Sequence, residues 1–343
     1  MKKFILLLII SLIGFGQQLT YVPDDGFEKW IEESIIGADN GLENDNYVFT
    51  SALDCNENFY VGWANNYGCI LDISNTYYPI FDLTGIQDFK ISQLRLYETF
   101  ISTLDLSNVE FIDNNNFDAS SLSILGNNQY LESIILPEDT LSNISITLSS
   151  VENLSNLVFN PSLSFKSLIL GYGLTNNSLC KLKVEGTLIC EPNSSPIYIT
   201  NCDNIKSYDF SGLYGASYQT TIQIYNSGLN PNNDVQMSLN NNTDFYNWVL
   251  YGFNNSGLSC VEVNSVEAAN FYSNNNQWPE ETNYSTNCFN YNFDCNSINI
   301  NKFSVKPKKL ITKIDILGKE NNHKGFLIYI YNDGSVEKKY VIE

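Results

Sequence analysis

One pattern constrains this chain more than any other: apolar-x-x-apolar-x-apolar, returning at steps of mostly 10 to 15 residues with its middle residue at Leu83, Leu94, Leu104, Ile134, Ile144, Leu157, Leu168, Leu182, Ile197, Tyr208, Ile222 and Val261. Ile91-x-x-Leu94-x-Leu96, Leu131-x-x-Ile134-x-Leu136 and Phe165-x-x-Leu168-x-Leu170 are clean instances. The turn between Leu104 and Ile134 is blurred, and those at Val235 and Val249 are weaker. An amphipathic helix does not fit, because positions i, i+3 and i+5 do not continue to i+7 and the flanks are Asn, Ser, Gly and Asp. Each short strand points alternate side chains inward and cannot bury them alone, so neighbouring turns must stack into one core. Two half-turns make a unit in the leucine-rich-repeat range of roughly 20 to 29 residues. The expected fold is therefore mainly β: a leucine-rich-repeat-like right-handed solenoid of short parallel strands.

The two ends differ from this body. Lys2 and Lys3 precede an apolar run, Phe4 to Ile13, and a small-x-small step at Gly14 to Gly16, the pattern of a secretory signal peptide over residues 1–16. At about ten residues the run is far short of the roughly 20 that cross a bilayer, and no later segment is longer, so no transmembrane span is expected. Asp24 and Asp25 are suitable helix N-caps, and Phe27, Trp30, Ile31 and Ile35 share one face of a helix predicted over Asp25–Ser34. Such a helix covers the first open edge of a solenoid. Near the C-terminus, Leu310–Ile316, Phe326–Tyr331 and Ser335–Ile342 read as strands, the last two joined by Asn332-Asp333-Gly334, a tight-hairpin signal.

Charge and cysteines narrow the function. From Asn301 onward nine Lys face five acids, whereas residues 4–300 carry seven basic residues against 33 acids and only one Arg, Arg95. So acidic a body repels phosphate backbones, which argues against nucleic acid as a partner. Cys55, Cys69, Cys180, Cys190, Cys202, Cys260, Cys288 and Cys295 favour disulfides in an exported chain. Eight cysteines allow on the order of a hundred pairings; the local pairs Cys55 with Cys69 and Cys260 with Cys288 are the candidates. No CxxC occurs and the only His is His323, so zinc spacing is absent and hydrolysis by a His-activated nucleophile has no base in the body. Asp39, Asn40, Glu43 and Asp45 offer oxygen ligands for Ca²⁺ within one short span but lack EF-hand spacing, and an ordinary polar loop is the preferred reading. No metal or other cofactor is called for.

The tail wording KKLITKIDILGKE…FLIYIYNDGSVEKKYVIE resembles the C-terminal sorting domain that Bacteroidetes use for export through the type IX secretion system. TYVPDDGFEKWIEESI, DLTGIQDF, TLDLSN and LSCVEVNSVEAANFYSNNNQWPEETNYSTNC resemble the caps and repeats of flavobacterial secreted leucine-rich-repeat proteins, with residues 54–70 as an insertion relative to them. The resemblance implies a signal peptide at 1–16, an N-terminal cap with insertion at 17–70, an irregular solenoid with its C-terminal cap at 71–296, a linker at 297–307 and a sorting domain at 308–343. It also implies a secreted or cell-surface destination, with the secretion machinery as the partner of the tail.

The middle residue of each apolar-x-apolar triplet should face outward, alternating between two sides. One side then presents Arg95, Ser145, Ile169, Tyr198, Gln223 and Leu250, and of these Arg95, Ile169, Tyr198, Gln223 and Leu250 are the candidate contacts for a protein or glycan ligand. The other presents Thr84, Asp105, Ile135, Val158, Lys183, Asp209, Gln236 and Glu262. A non-enzymatic binding or adhesion protein is the expected function. The alternatives are a structural envelope spacer without a specific ligand and, third, a glycan-active enzyme using a pair of carboxylates.

Overall fold

In a computed structural model the described residues are 18–54, 70–74, 78–112, 120–138, 143–171, 178–189, 194–202, 204–215, 220–225, 235–241, 247–251, 258–274, 282–290, 295, 310–315, 325–331 and 336–341. The signal-peptide segment 1–16, Cys55, Cys69, the linker 297–307 and the turn Asn332–Gly334 lie outside them. Two compact units divide at Phe293/Asp294.

The first unit is a parallel β-solenoid of about seven turns. Its strands bury every second side chain: Gln93–Tyr97 and Ser121–Leu125 alternate half-buried and buried, with Leu94, Leu96, Leu122 and Ile124 fully inside. Inward positions are in register from coil to coil, running Leu71, Leu94, Leu122, Ile146, Leu168, Ile197, Ile222 and Leu250. Each of these side chains is closed off from water by its counterparts on the coils either side. Fully burying one such aliphatic group is worth about 1.5–3 kcal/mol relative to leaving it exposed, so the stack rather than any single coil holds the fold.

Two columns of strands run along the solenoid. The first comprises Ile70–Ser74, Gln93–Tyr97, Ser121–Leu125, Ile144–Leu148, Ser164–Leu170, Ile197–Thr200, Thr220–Tyr225 and Trp248–Tyr251. The second begins as a three-stranded sheet of Thr103–Asp105, Ser133–Ile135 and Asn156–Val158. It continues through Lys181–Leu188, Ser207–Tyr214, Val235–Leu239, Leu258–Val263 and Asn283–Ser285. The start of Ser164–Leu170 pairs with the end of Lys181–Leu188, which joins the two columns into one 13-stranded sheet.

Several expectations are corrected here. The repeat placed at Leu83 is a turn leading into a 3₁₀ helix, Ile86–Asp88, rather than a strand, because Asp82 accepts from the Thr84 N–H and Gly85 sits at φ +104°. The blurred turn is a strand, Ser121–Leu125. The repeat placed at Ile144 centres on Ile146, so Thr147, not Ser145, continues the row of Arg95.

Turns between coils carry the asparagines that the sequence offers in such number. Asn128 is fully buried; its amide oxygen accepts from the Thr99 N–H and hydroxyl at 3.0 Å each, and its Nδ2 donates to the Leu125 carbonyl at 2.6 Å. It supplies to one coil the hydrogen bonds that the turn of the preceding coil cannot make for itself. Gly171 closes another turn at φ +81°, where an added Cβ would stand 1.9 Å from the Thr200 carbonyl of the next coil.

The N-terminal cap forms as expected. A helix spans Asp25–Ser34, Asp24 caps it by accepting from the Phe27 N–H at 2.8 Å, and Phe27, Trp30, Ile31 and Ile35 are buried. At the other end Val266–Ser273 is helical, capped by Ser265, with Ala268, Ala269 and Tyr272 packed on the last coils. The second unit is a three-stranded antiparallel sheet of Leu310–Asp315, Gly325–Tyr331 and Val336–Val341, with the middle strand paired on both sides.

Candidate functional site

The first column presents its outward residues as straight rows. Register pairing sets Asp72 beside Arg95, then Ser123, Thr147, Ile169, Tyr198, Gln223 and Tyr251. A second row, offset by two residues along each strand, runs Gln93, Ser121, Ser145, Ser167. Four of the five ligand-contact candidates, Arg95, Ile169, Tyr198 and Gln223, thus share one row on one face.

Leu250 does not. It is 1 % exposed and packs inward in register with Ile222, while Tyr251, 45 % exposed, occupies the outward place beside Gln223. The segment Trp248-Val249-Leu250-Tyr251 is apolar throughout, so alternation gives no cue to its register, and a slip of one residue exchanges the faces. The pairing of Ile222 with Leu250 decides which register holds.

Tyr225 belongs to this face as well, though the triplet pattern does not single it out. It lies two residues beyond Gln223 on the same face, 38 % exposed, with its ring centroid 5.8 Å from that of Tyr198 and the planes 43° apart. The signal was present: within Ile222-Gln223-Ile224-Tyr225 the same alternation that sends Gln223 outward sends Tyr225 outward. Tyr198, Tyr225 and Tyr251 therefore surround Gln223 across three adjacent strands. The Gln223 amide is held in place, its Nε2 donating to Ser195 Oγ at 2.9 Å.

At the far end of the row charge appears. Arg95 Nη2 donates to Gln93 Oε1 at 2.8 Å, which orients the guanidinium. Burial pushes the Asp72 carboxyl above its usual range, and Arg95 beside it works in the opposite direction.

The second column is open along its first strands and closed toward its C-terminal end. Glu262 is buried, its carboxylate accepting from Asn240 Nδ2 and from the Phe289 N–H, each at 3.1 Å. Gln236 Oε1 accepts from the Asn290 N–H at 2.7 Å. Asp209 accepts from the Ser211 N–H and hydroxyl. Cys260, on the same outward face, forms a disulfide with Cys288 at a Cα–Cα distance of 5.9 Å, as expected from the sequence. Gln236 and Glu262 are expected to face outward; they do, and the segment Cys288–Asn290 lies over them. Cys180 and Cys295 are also disulfide-bonded, while Cys202 keeps a buried thiol that donates to the Thr200 carbonyl.

Two further clefts lie among the described residues of the body. One of about 370 Å³ is lined by Asp82, Thr84, Gln87, Thr103, Asp105 and Asn108, and one Oδ of each Asp is already engaged by a nearby backbone N–H. Another of about 470 Å³ lies beside the cap helix against Tyr78, Pro79 and Phe81. In the Ca²⁺ candidate loop, Asp45 accepts from Asn40 Nδ2 and Asp39 accepts from the Gly41 N–H. Among the described residues no three His, Cys, Asp or Glu side chains converge as metal ligands.

The cap helix contributes one buried acid that amphipathic spacing did not single out. Glu28 is 1 % exposed and its Oε1 accepts from the Asp45 and Tyr47 N–H groups. Burial and the neighbouring Asp45 raise its pKa. Glu32, one turn on, is pushed up to about 7, first by burial and then by the negative charges of Glu28, Asp39, Asp45 and Glu43.

Compared with known proteins, the chain matches no family model, no curated protein and no solved structure.

Proposed function

We propose that this chain is an exported, non-enzymatic recognition protein whose ligand, a protein or a glycan, rests on the open face of the first strand column. The observation that carries this reading is the contrast toward the C-terminal end of the two columns: the first keeps Tyr225 and Tyr251 turned to solvent around a positioned Gln223, while the second buries Gln236 and Glu262 beneath the segment Cys288–Asn290. An exposed aromatic cluster on a rigid scaffold is what a binding surface requires, because Tyr supplies a large contact area at low entropic cost. A role without catalysis fits the chemistry available, since residues 4–300 contain no His and Glu262 is engaged structurally.

Export is the second part of the proposal. Disulfides are at home in an oxidising compartment, and no helix among the described residues is long and apolar enough to cross a membrane. The basic C-terminal unit, resembling a type IX sorting domain, serves as the address for the secretion machinery and delivers the acidic body to the cell surface or beyond.

Affinity capture from cell-surface and glycan mixtures tests the recognition reading, comparing the full mature chain with a Tyr198→Ala/Tyr225→Ala/Tyr251→Ala variant. Partners held by the native chain and released by the variant support it; none held by either supports the envelope spacer instead. For export, deleting Lys308–Glu343 is expected to strand a folded protein in the periplasm. Normal surface levels of that truncation would refute the address.

A further inference from the structure

Resting on the recognition reading, we infer that the open face takes a neutral polysaccharide, laid along the solenoid axis with its sugar rings on Tyr198, Tyr225 and Tyr251. The first argument is the charge of the face against that of the chain. Formal net charge is −20, yet from Ser123 through Thr147, Ile169, Tyr198 and Gln223 to Tyr251 the row contains no Asp, Glu, Lys, Arg or His. Ser121, Ser145 and Ser167 beside it are likewise uncharged. Arg95 bounds the row at one end beside Ser123, and Lys166 is left out of the register where Ile144 and Ser145 pair with Phe165 and Ser167. The surrounding acidic field repels uronate-rich or phosphorylated polymers, and a basic protein would be drawn to the acidic surfaces and not to this strip. An uncharged, hydroxyl-rich ligand is the chemistry that the strip matches.

The second argument is the kind of contact on offer. A sugar ring presents C–H groups on its faces and hydroxyls around its edge. Tyr198 and Tyr225, with ring centroids 5.8 Å and planes 43° apart, are tilted and not stacked face to face, so they do not spend their full ring faces on each other. Their phenol groups, with Gln223, Ser123 and Thr147, supply donors and acceptors for the hydroxyl edge. Gln223 is already fixed by Ser195, so the ligand need not order it.

The third argument is periodicity. Along the axis the row repeats once per strand, about 4.8 Å. A polymer of identical rings can follow such a track and meet comparable chemistry at each coil. A compact ligand would use only the aromatic end, whereas the hydroxyl row through Ser121, Ser123, Ser145 and Thr147 continues the track.

Affinity electrophoresis of the full mature chain through gels containing hydroxyethyl cellulose, glucomannan or xylan, with pectate as the anionic comparison, tests the inference. Retardation by at least one neutral polymer and none by pectate is expected, little changed by raised salt. Tyr225→Ala and Tyr251→Ala are each expected to weaken retardation about tenfold. Tyr214→Ala, an exposed tyrosine of the second column, should leave it unchanged. Circular dichroism and thermal melting matching the native chain establish that the variants fold. Retardation equal in native and variant chains would overturn the tyrosine platform. Failure in all three neutral gels would overturn the polysaccharide while leaving the recognition reading to the capture experiment, where a protein released by the triple variant would sustain it.

Discussion

The two strand columns are built from the same alternating pattern, yet toward the C-terminal end of the solenoid their outward residues reach opposite states. In the first, outward positions such as Tyr198, Gln223 and Tyr251 stay at the surface; in the second, Gln236 and Glu262 are sealed beneath Cys288–Asn290. Alternation therefore decides which side chains leave the core but not which reach solvent. That second outcome depends on where the chain goes after the last coil, information held by residues far away in sequence.

The sharpest way to break the comparison is at neighbouring positions of one strand. Leu250→Ala removes a side chain that is 1 % exposed and is expected to cost on the order of 2–5 kcal/mol of stability, while Tyr251→Ala next to it should cost less than about 0.5 kcal/mol. Urea unfolding of the two variants measures both. Equal costs would mean that the register of Trp248–Tyr251 is not the one described.

On the covered column, Cys260→Ser together with Cys288→Ser is expected to cost roughly 3 kcal/mol on the chain-entropy account of a loop of this length. Hydrogen exchange should quicken at residues 282–290 and stay unchanged at Thr220–Tyr225. A loss below about 1 kcal/mol would show that Glu262 and Gln236 hold the segment without the bridge. Between the columns, at a coil turn, Asn128→Ala leaves the buried Thr99 N–H without its acceptor and is expected to cost about 2 kcal/mol, readable in the same unfolding experiment.

How far the sequence discloses this structure varies by region, for physical reasons. The helix Asp25–Ser34 was legible to the residue because its cap and its apolar face are local. The Cys260–Cys288 bridge was legible as a nearby pair at the end of the repeats. Strands with polar-apolar alternation, such as Gln93–Tyr97, placed Arg95 on the correct face. Trp248–Tyr251 lacks that alternation and was read one residue out. The burial of Glu28 and of Glu262 was not legible, since each depends on backbone N–H groups 17 and 27 residues away respectively. Of the proposed binding face, Tyr198 and Gln223 are legible from alternation, whereas the gathering of Tyr225 and Tyr251 around them needs the strand register.

The smallest expected effect separates both columns from the cap. Glu32 in the cap is raised to about 7. An acid whose pKa is raised on folding binds its proton more tightly in the native state. Its cost is absent below the ordinary carboxyl range, develops as pH rises from there, and is complete above about 7. Glu28, also raised, acts in the same direction. Asp72 at the charged end of the open face is raised as well, but there Arg95 counters the shift. Thermal melting should therefore occur at a higher temperature at pH 5 than at pH 8, by an amount moderated because water reaches Glu32. Glu32→Gln is expected to flatten that dependence by raising the melting temperature at pH 8, and Asp72→Asn to leave most of it in place. If Asp72→Asn flattened the dependence and Glu32→Gln did not, the pH-sensitive element would be the open face and not the cap, and recognition on that face would then have to be pH-dependent too.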